Sequence, residues 1–314
     1  MPSQRPPIPP AFVLLLGILS VSTASIFIRF AQAEAHSLVI AAWRLSIAAL
    51  VLTPITLLRH GAELRALGRK DFLLAGLSGI LLAIHFATWI TSLEYTSITS
   101  SIVLVQTAPL WVALIAPIFL REPIGPRVLW GLGLALAGGV TVSLSDICAL
   151  GADRFACPGL AELIRGDAFF GNFLALCGAW SAAGYLVIGR NLRARLSLLG
   201  YIFIVYGIAA ILLVITMFAF GYSPVGYPAQ TYLWFVLLAL IPQLLGHSSF
   251  NWALGYLSAA LVSIAFLGEP IGTVILAYLI LREAPTVVKL IGALLILAGI
   301  YISSRQPNNA PKGA

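Results

Sequence analysis

This chain predicts an all-α membrane protein: ten transmembrane helices in two inverted five-helix repeats. Three observations carry the prediction. First, its 314 residues are 60% hydrophobic and 9% charged, with a mean hydropathy of +1.01, far from the averages of soluble domains. Second, ten stretches approach the roughly 20 apolar residues that a bilayer core demands of a helix. Third, residues 120–143 recur 161 positions later. Leu120-Arg121-Glu122, Leu129, Gly131, Leu134, Leu136, Ala137, Gly138 and Ser143 return as Leu281-Arg282-Glu283, Leu290, Gly292, Leu295, Leu297, Ala298, Gly299 and Ser304. The same offset pairs Leu93 with Leu254, Tyr95 with Tyr256, Ser97 with Ser258 and Pro109 with Pro270. A repeat with an odd number of spans inserts its second copy upside down, which is the usual scaffold for alternating access.

The spans follow in order. Residues 11–30 form an apolar run that ends near Arg29. Ala31-Gln32-Ala33 looks like a cleavage site, but the run is longer than a signal h-region, so a retained span is expected. Residues 36–58 carry Trp43 and Arg44 and stop at Arg59. Residues 71–93 begin after Arg69-Lys70 and carry His85 and Trp89. In 97–120 the polar pair Gln106-Thr107 interrupts an otherwise apolar run. Residues 126–146 are rich in small residues, Gly131, Gly133, Gly138 and Gly139 among them, which suits close helix packing. Residues 168–189 carry Cys177, Trp180 and Tyr185, and 196–219 are almost wholly apolar. Residues 231–254 carry Gln243, His247, Asn251 and Trp252, residues 258–281 carry Glu269-Pro270, and 286–304 carry Gly292 and Gly299. The chain thus divides into a first repeat (1–146), an extracytoplasmic connecting loop (147–167), a second repeat (168–304) and a cytoplasmic tail (305–314).

The formal charge of +7 has a topological explanation, because no basic patch interleaved with aromatics points to nucleic acid. With the N-terminus inside, twelve Lys and Arg residues fall in inner segments and five in outer ones, so both termini are expected in the cytoplasm. Arg121-Glu122 then lies inside and Arg282-Glu283 outside. Cys148 and Cys157 flank the connecting loop. They are either a disulfide, if that loop faces an oxidising compartment, or two reduced thiols. No Walker, HExxH or Gly-x-Ser-x-Gly motif is present, so neither nucleotide hydrolysis nor a familiar hydrolase chemistry is signalled.

Charged side chains deep in a span cost at least a few kcal/mol and are expected to face protein or water. Arg44 and Glu269 are such residues, and neither has a charged counterpart at the repeat offset, where Val205 and Ala108 stand. Three readings stay open: a structural ion pair, contact with substrate charges, or proton coupling through Glu269. Arg44 suits a carboxylate because its fork bonds in pairs. Gln243, His247 and Asn251 make a polar stripe at four-residue steps, and His85 with Trp89 makes another. At an offset of 162, His85 corresponds to His247 and Trp89 to Asn251. Each histidine alone suits an interhelical hydrogen bond; the paired set suits the two walls of a cavity. Trp43, Trp89, Trp180, Tyr185 and Trp252 are candidate aromatic walls, and Gln106 a further polar lining residue.

Several of these features together resemble a known family. Ten spans, a five-span duplication, Ala41-Ala42-Trp43-Arg44, Glu269-Pro270 and repeat segments ending in Arg-Glu are similar to the EamA family of the drug/metabolite transporter superfamily. The resemblance covers all but the polar tails, and its aromatic set is most similar to amino-acid exporters of the YddG type. It implies export of small metabolites, often amino acids, by ten helices around a central cavity; a bacterial inner-membrane location and no cofactor are expected, and the oligomeric state is left open with a monomer favoured. Other functions fit these residues less well. Efflux of cationic drugs is disfavoured because residues 11–30 contain no Asp or Glu, whereas the related small multidrug transporters carry a glutamate in their first span. An intramembrane enzyme built on His85, His247 and Glu269 lacks a local ligand motif. A receptor or scaffold leaves the polar stripes in both halves unexplained.

Overall fold

Chain segments that read as membrane spans form helices, and their ends are set by ordinary capping chemistry. The computed structural model describes residues 6–96, 101, 104–147, 149–150, 155–156, 167–281 and 287–305. The first half holds α1 (Pro10–Val21), α2 (Ala24–Gln32), α3 (Ser37–Arg65), α4 (Arg69–Tyr95), α5 (Ala108–Phe119) and α6 (Pro126–Ile147). A two-residue ribbon, Ala149–Leu150 against Phe155–Ala156, follows. The second half holds α7 (Asp167–Arg193), α8 (Leu198–Ala219), α9 (Ala229–Leu238), a π-helical stretch (Ala239–His247), α10 (Ser248–Ala253), α11 (Ala259–Phe266), α12 (Glu269–Leu281) and α13 (Val287–Ser304). His36, Ser197 and Ser258 cap α3, α8 and α11 by accepting from the backbone N–H of Leu38, Gly200 and Leu261, satisfying donors that helix starts leave orphaned.

Among the described residues, six helical stretches are long and apolar enough to cross a membrane: Pro10–Gln32, Ser37–Arg65, Arg69–Tyr95, Phe169–Arg193, Leu198–Ala219 and Ala229–Ala253. Shorter apolar helices lie at Ala108–Phe119, Ala259–Gly272 and Leu290–Ser303. The chain is therefore an integral, multi-pass membrane protein. Its outer surface agrees, with large apolar side chains such as Leu58, Ile118 and Trp130 more than 70% exposed. In lipid that exposure carries no hydrophobic cost.

Four of the segments read as continuous helices are broken. The first turns at Ser22-Thr23, the fourth at Gln106-Thr107 and the ninth at Leu267-Gly268. The eighth is underwound into the π-helical stretch around Pro242. Proline supplies no backbone N–H, and a wider turn is one way a helix accommodates it. The second and third breaks lie 161 residues apart, at matching places in the two halves. Alpha5, with 12 residues, spans only about 18 Å at 1.5 Å per residue.

Packing joins the halves helix by helix. Alpha6 packs on α13, α4 on α7, α3 on α8, α5 on α11, and α1 on the π-helical stretch and α10. The α6–α13 pair runs antiparallel: a Cβ on Gly131 would lie 2.5 Å from Gly299 O, and one on Gly138 would lie 2.5 Å from Gly292 O. Only glycine lets the backbones approach this closely.

Polar contacts gather at the two ends of the bundle. At one end Glu122 binds Arg190 Nε at 2.6 Å and accepts from Ala259 N–H, Arg190 donates to Leu254 O, and Arg195 pairs with Asp71 at 2.8 Å. Glu63 accepts from both the N–H and the hydroxyl of Ser197 there. At the other end His36 meets Glu94 at 3.3 Å and stacks on Tyr222 at 3.8 Å, while Thr96 donates to Asn172.

Candidate functional site

Between these ends lies a cavity bordered by both halves. Breaking two helices at matching positions builds its middle. Gln106, Ala108 and Pro109 border it where α5 begins, and Leu267 and Glu269 where α12 begins. Backbone freed from a continuous helix is tolerated at membrane depth where it borders such a space. Alpha4 contributes Leu82, His85 and Trp89, α7 contributes Ala182, Tyr185 and Leu186, and α3 contributes Arg44.

Of the residues singled out from the sequence, Arg44, His85, Trp89, Gln106, Tyr185, His247 and Glu269 border this cavity. Arg44 is wholly buried. Its Nε donates to Gln243 Oε1 at 2.9 Å, and its guanidinium carbon lies 4.2 Å from the centre of the Phe86 ring, a cation–π geometry. Among the described residues its two Nη atoms have no hydrogen-bond partner. Glu269, at the start of α12, acts electrostatically on Arg44, and its own carbonyl accepts from Ser22 at 2.9 Å.

His85 Nδ1 lies 2.9 Å from the carbonyl of Gly178, which can only accept, so that nitrogen carries the proton. Gly178 allows the approach, since a Cβ there would stand 3.3 Å from Trp89 Cβ. His85 stacks on Trp89 at 5.8 Å, and Phe86 meets the His247 ring edge-on at 5.3 Å. The paired stripes thus come together. Trp89 Nε1, His247 Nδ1 and Gln106 Oε1 are buried and without hydrogen-bond partners among the described residues.

Two residues stand one layer back. Gln243 holds Arg44, and Asn251 donates to the hydroxyl oxygens of Tyr185 and Tyr206 and to His247 O. Asn251 O in turn accepts from Arg193 at 3.1 Å. Three expected aromatic walls lie elsewhere. Trp43 donates to Pro224 O at 2.9 Å and stacks on Phe235, Trp180 is 42% exposed with its edge against Trp111, and Trp252 packs on Tyr256 at 4.5 Å. In each case a local partner claims the ring. Cys148 and Cys157 lie outside the described residues, and the described thiol of Cys177 is free.

Phe86, Ser263, Phe266 and Leu267 were not singled out from the sequence, yet Phe86 supports Arg44 and the others border the cavity. A signal for Leu267 was present, because the repeat offset maps Gln106 onto it. No group of three or more His, Cys, Asp or Glu suited to a metal ion occurs among the described residues.

Comparison with known proteins agrees with this architecture. Two proteins of Archaeoglobus fulgidus, each named an uncharacterized transporter, are 24% identical to this chain. One aligns over 73% of this chain and 74% of its own length, the other over 93% and 95%. A solved structure described only as the crystal structure of a protein superposes with a TM-score of 0.72 at 18% identity, covering 94% of this chain and 96% of that one, which shows a shared fold. The EamA-like transporter family matches twice, over residues 8–144 and again over 169–305, once for each half that frames the cavity. With nearly the whole sequence accounted for in this way, the chain belongs to the EamA-like transporter family of the drug/metabolite transporter superfamily.

Proposed function

We propose that this protein is a secondary transporter, not an enzyme, that exports small metabolites by alternating access, with amino acids as the leading substrate class. The observation that carries the reading is a cavity between the halves that combines a buried guanidinium, a carboxylate and aromatic walls. A zwitterion with an apolar side chain matches that mixture, and this is the chemistry implied by the resemblance to amino-acid exporters of the YddG type. The protein needs no cofactor for this, works as a monomer and meets only its substrate and the bilayer.

The proposed scaffold is ten spans in two inverted repeats, residues 1–146 and 168–304, joined by the extracytoplasmic segment 147–167. Supporting it, interhalf packing maps onto itself when the halves are exchanged for α6 with α13, for α3 with α8, and for α1 with α10 as α4 with α7. The glycine contacts do the same, since Gly131 and Gly292 are repeat equivalents, as are Gly138 and Gly299. Repeat-equivalent helices that run antiparallel are what inversion requires. The Arg190, Arg193 and Arg195 end is assigned to the cytoplasm of a bacterial inner membrane, with both termini on that side.

Efflux of cationic compounds is the second reading, because Glu269 and Trp89 suit an organic cation as well. The test is export from reconstituted vesicles of a panel containing amino acids and quaternary amines, with and without a pH gradient. Saturable flux of amino acids is the expected result. Flux of the amines alone favours the second reading, and flux of nothing refutes both.

A further inference from the structure

We infer that Arg44 is a carboxylate receptor, held in its binding posture by Gln243 and Phe86, so that compounds accepted by this cavity carry a carboxylate. The inference rests on the transport reading and deepens it. The geometry of the guanidinium is the starting point. Its five N–H donors form a rigid fork. Gln243 takes the Nε donor at 2.9 Å, and the Phe86 ring covers one face of the plane at 4.2 Å. With Nε and one face occupied, rotation of the fork is restricted, and the two Nη groups remain unpartnered at a cavity-bordering residue that is wholly buried.

A purely structural arginine is expected to use most of its donors on the protein. This one uses its Nε and leaves the pair that binds carboxylates two-pronged. Burying a cation with unused donors costs several kcal/mol, and an incoming carboxylate recovers part of that cost. An amide or an amine supplies no negative charge and recovers far less. Trp89 Nε1 adds another unpartnered buried donor on the cavity wall.

Other features favour the same end of the ligand. Alpha5 begins at the cavity with Ala108 and Pro109 and has no acidic residue in its first turn, whereas α12 carries Glu269 in its own. The positive end of α12 is thus already matched by a carboxylate, and that of α5 is open to one from the ligand. Gln106 Oε1, an unpartnered acceptor on the wall, and Glu269 suit the ammonium of an amino acid.

Gln243 is a positioning residue in this scheme, because it acts on the ligand only through Arg44. Its loss leaves the fork free to turn, so recognition of the carboxylate weakens while contacts to the rest of the ligand persist. A role in folding alone weakens all ligands equally.

The test uses the purified full-length protein and thermal stabilisation by L-amino acids set against their α-amides, matched side chain for side chain. A site built for a group rejects the analogue lacking it strongly, so half-saturation by the best acid is expected at a concentration at least about 100-fold lower than by its amide. Gln243→Leu is expected to weaken the acid about tenfold and leave the amide unchanged, narrowing the ratio between them. Acid and amide of equal strength, amide alone, or neither registering overturns the assignment of Arg44. A Gln243→Leu protein that weakens both equally overturns the positioning role. If that variant does not fold, the wild-type ratio still decides the carboxylate assignment. Flux of amines or amides from vesicles with no preference for acids leaves transport standing and refutes only this inference.

Discussion

Replacing Gly138 by alanine probes one of the close backbone contacts between the halves. Its Cβ would stand 2.5 Å from Gly292 O and 2.8 Å from both Ile296 N and Ile296 Cγ1. Ordinary contact begins near 3.4 Å, so α6 and α13 must separate by about 0.9 Å, the difference between 3.4 and 2.5 Å. Two of the three opposing atoms are backbone, so a rotamer change cannot relieve the clash. Overpacking of this kind costs about 1–3 kcal/mol. Alanine returns up to about 1 kcal/mol of helix propensity, and with a close backbone clash at the upper end of that range the net loss is up to about 2 kcal/mol. Gly133 on the same helix is the control, because a Cβ there meets nothing within 4 Å and only the propensity gain remains. Thermal unfolding in one detergent compares the two. Gly138→Ala is expected to melt lower than the parent and Gly133→Ala no lower. Equal behaviour of the two variants refutes the claim that glycine contacts hold the halves together.

Other expectations follow from the same contacts. Glu122→Ala removes the partner of Arg190 and an acceptor for Ala259 N–H; the pair is largely buried, so a loss of about 1–3 kcal/mol is expected in the same melting assay, and an unchanged melt contradicts it. Trp89→Phe, at the cavity, is expected to raise the transport KM several-fold, whereas Trp252→Phe, packed on Tyr256, leaves it unchanged; the reverse order moves the site. For topology, Ser223→Cys in intact cells is expected to react with a membrane-impermeant thiol reagent, and Arg195→Cys only after permeabilisation. The opposite pattern inverts the assigned orientation.

The sequence and the structure agree most where the signal is periodic or repeated. Hydropathy located the helices, and the glycines that suited close packing make the α6–α13 contacts, whereas the breaks at Gln106-Thr107 and Leu267-Gly268 fall within segments that read as continuous, although the 161-residue offset relates them. Polar residues stranded in apolar runs were informative for a physical reason. Arg44, His85, Gln106, His247 and Glu269 are expensive in lipid, and all border the cavity. Tryptophans lacked that constraint. Trp43 and Trp180 satisfy themselves equally well against Pro224 O or at a half-exposed surface, so their chemistry did not say which way they face. The duplicated Arg-Glu dipeptide concealed its partner as well: Glu122 bonds to Arg190, 68 residues on, rather than to its neighbour in sequence. The π-helical turn was not legible, because Pro242 signals a departure from the α-helix without saying which one.

Two-sided access to the cavity is the central claim, and labelling of a single cysteine tests it most directly. Ala182, a small residue on the cavity wall of α7, is replaced by cysteine in a protein whose three natural cysteines are removed. The protein is placed in vesicles of known orientation, and an impermeant thiol reagent is applied to one face or the other. Reaction from each face, slowed by the amino acid that the protein carries, is the predicted result. Reaction confined to one face under every substrate and gradient condition, or none from either, contradicts the account.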